Sequence, residues 1–362
     1  IVLAELPKQL ARTLAKDPNE VMSVFAGPAS AWTGWGSEML DQYGQAISNW
    51  RFGHQATQET APTLNTQLDA IKAALSGYVP GPMLVTPWAI DRPIEDEIIR
   101  DNQQLLVYDH DATSEKAMPL VVEDWASAAN LYASDSREPP PTLGMVLSPM
   151  HKPGTWSGTE VWSSVSMLAR KAISFWWAAS STGLGNDRFD LELRDAWWVS
   201  SGKRGQVMPA PELVVWRTLA KHLGGRQAIE ELDIVPGVRM LVAGPKRITT
   251  QAQRDEQTDK GIMILWLDEP GIEQRVLNLP LSTGPVTRCD VFNNQSPVEL
   301  ARIGDLALPV HRIVVGRSPI IVTGINTQLV RFLSTIQLTP DSLQAVSGIH
   351  KHELKLSNPW PI

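Results

Sequence analysis

A chain of 362 residues, 43% hydrophobic and 20% charged, carries enough apolar material for a large core and a smaller second one. Its formal net charge of −7, with basic residues scattered along the chain, argues against a nucleic-acid footprint, and no apolar run reaches the ~18 residues of a membrane-spanning helix. The lone cysteine, Cys289, excludes an intrachain disulfide framework and any site built on several thiolates.

The first expected element is an amphipathic helix over residues 3–16, stopped before Pro18. A Gly/Trp-rich stretch carrying Trp32 and Trp35 leads into a helix over 37–48. Residues 49–53 then read as a short buried strand that ends at His54 and Gln55. A helix over 63–75 and a strand over 82–88, closing on Trp88, repeat the unit. A short helix is expected at 96–100, and a strand at 104–108 delivers Asp109, His110 and Asp111 to a loop. Further on come a helix at 121–132, a strand at 143–147 and a loop carrying His151 and Trp156. A helix at 161–171 and a strand at 172–178, with the adjacent Trp176 and Trp177, complete the series. Short buried strands alternating with helices are the pattern of parallel βαβ units. Residues 182–204 read as an excursion with a strand-like piece at 189–193, and 209–223 as a helix stopped by Gly224-Gly225.

From about Gln227 the texture changes to short strands near 261–267, 274–279, 286–292, 298–300, 306–309 and 320–322, separated by Gly, Pro, Asn and Asp. That spacing favours an antiparallel sheet or sandwich. Residues 329–338 suit a strand or a short helix, and a polar tail follows. The expected division is a (β/α) region over 1–226, a β-sandwich over 227–330 and a tail over 331–362. The chain opens at Ile1 with neither an initiator Met nor a signal-peptide pattern, so a piece of a larger polypeptide is expected.

Several stretches resemble a known family. The run Ile262-Met263-Ile264-Leu265-Trp266-Leu267, then Gly284-Pro285-Val286-Thr287, Asp290-Val291-Phe292-Asn293-Asn294 and Ser318-Pro319-Ile320-Ile321-Val322-Thr323-Gly324, resembles the C-terminal sandwich of retaining glycoside hydrolases of the largest (β/α)8-barrel clan. Pro209-Ala210-Pro211 through Leu223-Gly224-Gly225 resembles the last barrel helix of such proteins. The resemblance implies a TIM-barrel portion followed by an antiparallel β-sandwich. It also places His54 and Gln55 where the clan carries an Asn-Glu pair at the end of strand four, and His151 where strand seven carries the nucleophilic Glu. A glutamine amide releases no proton to a leaving alkoxide, and the retaining mechanism needs two carboxyl groups ~5 Å apart. On this alignment the catalytic glutamates are lost. About five strands precede the sandwich against eight in a closed barrel, which again suggests missing chain.

If the alignment is shifted, Asp109, Asp111, Glu123 and Glu160 are the candidate catalytic carboxylates. Glu123, beside Asp124, has a plain alternative as a helix-start residue. A metal at Asp109 and Asp111 needs a third ligand such as His151, which no sequence feature places. No P-loop, dinucleotide fingerprint, His-Glu-x-x-His or Gly-x-Ser-x-Gly pattern is present, and no metal or cofactor is expected. Fourteen tryptophans against four tyrosines suit either a carbohydrate groove or large core fillers. For a sugar, His54, Gln55, Trp88, His110, His151, Trp156 and Trp176 are the candidate binding residues. The reading is a glycoside-hydrolase-like, catalytically degenerate protein that binds carbohydrate, or an assembly module of a larger polypeptide or of copies of itself at a cell surface. Its alternatives are an active retaining glycosidase and a purely structural subunit.

Overall fold

The computed structural model describes residues 2–3, 5–53, 61–94, 104–108, 115–135, 142–149, 158–184, 188–194, 197–199, 207–245, 261–302, 309–339 and 353–356. They belong to a mixed α/β fold with one parallel sheet and several antiparallel ones. The chain divides into two compact units, Ile1–Met150 with Ser174–Asp195, and His151–Ile173 with Ala196–Ile362.

The first unit is built on six strands: β1 (Val2–Leu3), β2 (Asn49–Phe52), β3 (Met83–Ala89), β4 (Gln104–Tyr108), β5 (Thr142–Leu147) and β6 (Phe189–Leu193). They lie side by side in chain order and every neighbouring pair is parallel. Helices fill the connections: α1 (Lys8–Leu14), α2 (Val21–Phe25) and α3 (Thr33–Tyr43) before β2, α4 (Ala61–Leu75) before β3, α5 (Ala117–Asp135) before β5, and α6 (Gly158–Ser181) before β6. Parallel neighbours require such crossovers, because a tight hairpin can join only antiparallel strands.

The sheet is strongly curled. In a flat sheet β2 and β6, four strands apart, would be separated by roughly 19 Å. Yet Arg51 on β2 and Glu192 on β6 are in contact at 2.9 Å. Both side chains therefore lie on the concave face. The register agrees: Arg51 pairs with Val85, Val85 with Gln104, and Gln104 with Thr142, while Gly144 pairs with Asp190 and Val146 with Glu192. Side chains alternate along a strand, so Phe52 and Phe189 point the other way. Phe52 lies 4.9 Å from Phe25 of α2, and Phe189 lies 5.0 Å from Trp125 of α5.

Two expectations are corrected here. Residues 172–178 are not a strand: α6 runs unbroken from Gly158 to Ser181, with Trp176 and Trp177 inside it. Lys171 to Phe175 are all buried, and a helix buried on nearly every side loses the 3.6-residue pattern and imitates a buried strand. The strand that follows β5 is instead β6, the strand-like piece at 189–193 of the stretch that reads as an excursion, and the short β1 precedes α1, which forms within the helix expected over 3–16. Among the described residues the sheet thus has six strands rather than five. The helix expected at 96–100 lies outside the described residues.

The second unit contains the hairpin β7 (Trp197–Val199) and β8 (Val207–Pro209), then α7 (Pro211–Leu223), β9 (Arg226–Leu232), β10 (Val238–Pro245), β11 (Gly261–Leu267), β12 (Gln274–Leu279), β13 (Thr287–Asp290), β14 (Gln295–Pro297), β15 (Glu299–Arg302), β16 (Pro309–Gly316), β17 (Ile320–Ile325), α8 (Thr327–Ser334), β18 (Ile336–Thr339) and β19 (Glu353–Leu356). Proline opens α7, where its missing N–H costs nothing, and Gly224 caps it. Six strands form an antiparallel sheet in the order β14-β13-β17-β11-β10-β9, and three form another, β12-β16-β15. One buried cluster draws alternate residues from both: Met240 and Val242, Met263 and Leu265, Leu277 and Leu279, Ile313 and Val315. All seven residues of β11 are buried, so this strand is covered on both faces and reads as a continuous apolar run rather than an alternation.

The first part of α6 is fastened to this unit by polar links. Arg170 donates to the carbonyl oxygens of Leu267 at 2.6 Å and Arg317 at 2.8 Å, and the Ser164 hydroxyl donates to the buried Glu212 carboxylate at 2.6 Å.

Candidate functional site

Of the residues singled out from the sequence, His54, Gln55, Asp109, His110, Asp111, His151 and Trp156 lie outside the described residues. Glu123 is exposed on α5 and stands inside that helix rather than at its start, which is Ala117. Glu160 is exposed in the first turn of α6, where a carboxylate complements the helix dipole. Trp88 is 0% exposed on β3. It shares the convex face with Leu84 and Thr86, its ring lies 4.0 Å beneath the Arg92 guanidinium, and its indole N–H donates to the Arg92 carbonyl at 3.4 Å. An indole so enclosed offers no free face to a sugar. Trp176 is half-buried in α6, 6.2 Å from the ring of Trp177.

The polar groups that the fold does bring together lie on the concave face of the parallel sheet. Arg51 is buried and holds Glu192 with both arms of its guanidinium, Nη1 at 2.9 Å and Nη2 at 3.3 Å. Such a fork gives orientation as well as attraction. Its Nε finds no hydrogen-bond partner among the described residues. Gln104 of β4 donates through Nε2 to Asp190 at 3.0 Å. Asp190 is open to solvent at its surface, yet enough protein surrounds the carboxyl for desolvation to raise its pKa above the ordinary carboxylate value. Chemically, the face presents a carboxylate neutralised by arginine, a second carboxyl more ready to hold its proton, and an amide, a set able to bond several hydroxyl groups at once.

Sequence reasoning missed this cluster. The available signal was the alternation Phe189-Asp190-Leu191-Glu192-Leu193, which puts two carboxylates on one face of a strand and three apolar groups on the other.

The second unit holds another conspicuous trio. The thiol of Cys289 lies 3.6 Å from His222 Nε2, and Asn293 Oδ1 lies 3.3 Å from the same nitrogen. A cysteine nucleophile needs its histidine oriented through the opposite ring nitrogen, with the thiol reachable. Here Asn293 and the thiol crowd one nitrogen, and Cys289 is 1% exposed. Burial, helped by Asp290, raises the thiol pKa, while burial together with Lys221 and Arg226 lowers that of the imidazole. Those shifts oppose a thiolate–imidazolium pair, so the trio is structural.

A pH dependence follows. His222 resists protonation in the fold, so its contribution to stability is complete above the ordinary histidine value of 6.5 and is lost as pH falls below it. Cys289 resists ionisation, so stability is lost as pH rises above the ordinary thiol value of 9.0. Melting curves across pH should show the His222→Gln variant losing the acid limb and Cys289→Ala the alkaline one. Iodoacetamide at pH 8 should leave the native thiol unmodified and label it only after denaturation. Rapid labelling of the native protein would show that the thiol is accessible, and unchanged limbs in both variants would show that neither group carries the pH dependence.

Among the described residues, no group of three or more His, Cys, Asp or Glu side chains is placed to hold a metal ion. Among them, too, no helix is long and apolar enough to cross a membrane.

No protein-family model matches the chain, and no curated protein matches it. Solved structures do. One is a family 39 glycoside hydrolase from the gut symbiont Bacteroides cellulosilyticus WH2, with a TM-score of 0.53 and 11% identity, covering 85% of this chain and 63% of that one. Another is a bifunctional glucanase-xylanase from a metagenome library, with a TM-score of 0.46 and 9% identity, covering 82% of this chain and 68% of that one. A third is a family 44 xyloglucanase from Paenibacillus polymyxa, with a TM-score of 0.41 and 9% identity, covering 78% and 68%. This chain spans 63% of the length of the family 39 enzyme, and its fold is similar to that of a glycoside hydrolase.

Proposed function

We propose that this chain is a glycoside-hydrolase-like module that binds carbohydrate on the concave face of its parallel sheet and has lost retaining hydrolysis. In this reading the six parallel strands are part of a (β/α) barrel and the two antiparallel sheets form a sandwich that follows it in the chain. The observation that carries the reading is the state of Glu192. This concave-face carboxylate is held by a bidentate pair with the buried Arg51, so both of its oxygens are already engaged and it is not a free nucleophile. The sequence supports the same conclusion, with His54-Gln55 standing where the clan resemblance calls for an Asn-Glu pair and His151 where it calls for the nucleophilic Glu. Fold likeness to a glycoside hydrolase is compatible with it and goes no further, since a fold hosts many functions.

A second reading, active hydrolysis, has one observation in its favour: the raised pKa of Asp190 suits a general acid. The two are separated by giving the protein a panel of xylo- and gluco-oligosaccharides in calorimetry, and aryl glycosides in a turnover assay. The binding module gives saturable heats that fall at least tenfold in Asp190→Ala, with no turnover. Turnover that disappears in Asp190→Asn overturns the loss of catalysis. Neither heat nor turnover leaves a structural subunit of a larger assembly.

A further inference from the structure

Among the described residues, four strands lie at the edges of the six-stranded and three-stranded antiparallel sheets: β14 and β9 in one, β12 and β15 in the other. An edge strand offers unpaired N–H and C=O groups to any chain able to extend the sheet, and folded proteins blunt such edges with short length, proline, charge or a bulge. Three of the four are blunted in these ways. β14 is three residues long and ends on Pro297, which has no N–H to give. β15 has four residues and opens on Glu299, whose carboxylate lies 4.0 Å from Arg312. β9 carries Glu230 and Glu231, and its register with β10 shifts between Val242 and Ala243.

β12 has none of these devices. It runs for six residues, Gln274–Leu279, without proline, and its register with β16 is unbroken. Among the described residues its backbone pairs with β16 alone. Its one charged residue, Arg275, is turned to its own chain, where the guanidinium donates to the Pro236 carbonyl and, at 3.2 Å, to Glu269. Leu277 and Leu279 are buried in the core, while Gln274, Val276 and Asn278 are exposed. Val276 is 45% exposed and stands opposite Val314 of β16, itself 37% exposed. We propose that the outer edge of β12 pairs antiparallel with β12 of a second copy of this chain, joining two three-stranded sheets into one about a two-fold axis.

The residues on this edge select the occupant. Residues directly opposite each other in an antiparallel pair point to the same face. A symmetric pairing that keeps the leucines in each core therefore sets its axis at a residue and not between two. With the axis at Val276, that valine meets Val276 of the second copy, and Gln274 meets Asn278 of the second copy. The exposed row of Val314 and Val276 then continues across the axis into the same two valines, covering apolar surface that each copy alone leaves to water. Amide faces amide, and Arg275, already answered by Glu269, falls beside Leu277 of the second copy, so no charge is stranded. An unrelated strand has no such match built in. The proposal is independent of carbohydrate binding on the concave face.

The test is sedimentation velocity on the full chain from micromolar to submillimolar concentration. A concentration-dependent dimer is expected, weakened at least tenfold in Val276→Lys and in Val276→Glu, because each variant sets like charges opposite one another. Mixing the two variants should restore the dimer, since lysine then faces glutamate. Oxidation of Val276→Cys should link two chains, whereas Val314→Cys should not, because its copies stand three strand spacings, roughly 14 Å, apart. The native thiol, Cys289, is 1% exposed and gives no link of its own. A monomer at every concentration overturns the proposal and leaves the edge to a strand of another protein. A dimer equally tight in both charge variants, or a mixture that stays monomeric, overturns it as well. If the charge variants do not fold, the cysteine variants decide: no link through Val276→Cys, or one formed as readily through Val314→Cys, is a refutation.

Discussion

Glu192→Leu destabilises the parallel-sheet unit by about 3 kcal/mol or more, whereas Arg51→Met costs less than about 1 kcal/mol. The asymmetry follows from burial. The Arg51 side chain is 7% exposed and that of Glu192 is 42% exposed. Removing the glutamate leaves a buried guanidinium without its counter-charge, and its Nε already has no partner among the described residues. Removing the arginine leaves a carboxylate that water can reach, and methionine refills much of the vacated space. The double variant should recover most of the loss, because it removes the stranded charge together with its partner. Urea unfolding read on the transition of the parallel-sheet unit gives all three values. A loss below about 1 kcal/mol for Glu192→Leu would mean that the pair is not the clasp across the concave face described above.

The next largest effect is expected at Trp88. Trp88→Ala should cost about 3–5 kcal/mol, the range for deleting a large buried aromatic. The residue is 0% exposed, level with the buried Val107 on β4, and capped by Arg92. The milder Trp88→Phe keeps most of the apolar volume and should leave oligosaccharide affinity unchanged. A selective loss of sugar binding in that folded variant, at unchanged stability, would return Trp88 to the ligand side. The two substitutions thus separate the two uses of tryptophan that composition leaves open, core filler and stacking platform.

Much of the local structure is legible in the residues. The strands near 49–53, 82–88, 104–108 and 143–147 appear as β2, β3, β4 and β5. Each is a short apolar run bounded by breakers, and such runs carry their own signal. The helix over 209–223 and its stop at Gly224-Gly225 are equally local, since proline at the start and glycine at the end act on their own backbone. Less legible are β9 and β10, which no individual expectation covers. β9 is the edge strand of its sheet, half-exposed and carrying Glu230 and Glu231, so neither alternation nor β-propensity marks it. The candidate site is legible only in its parts. Arg51 and Glu192 meet across 141 positions of sequence, and no local pattern announces a contact made by the curl of a whole sheet.

What the sequence alone determined is the succession of βα units and the turn toward antiparallel strands after about Gln227, because periodicity and breakers act over a few residues. The tertiary structure decided the rest. It made 172–178 part of a helix, because burial on nearly every side erased the period that would have marked it. It turned Trp88 toward the helices, because strand register and not residue type assigns a side chain to a face. And it assembled Arg51, Gln104, Asp190 and Glu192 on one surface, because only the closing curvature of the sheet brings strands four apart within reach of a hydrogen bond.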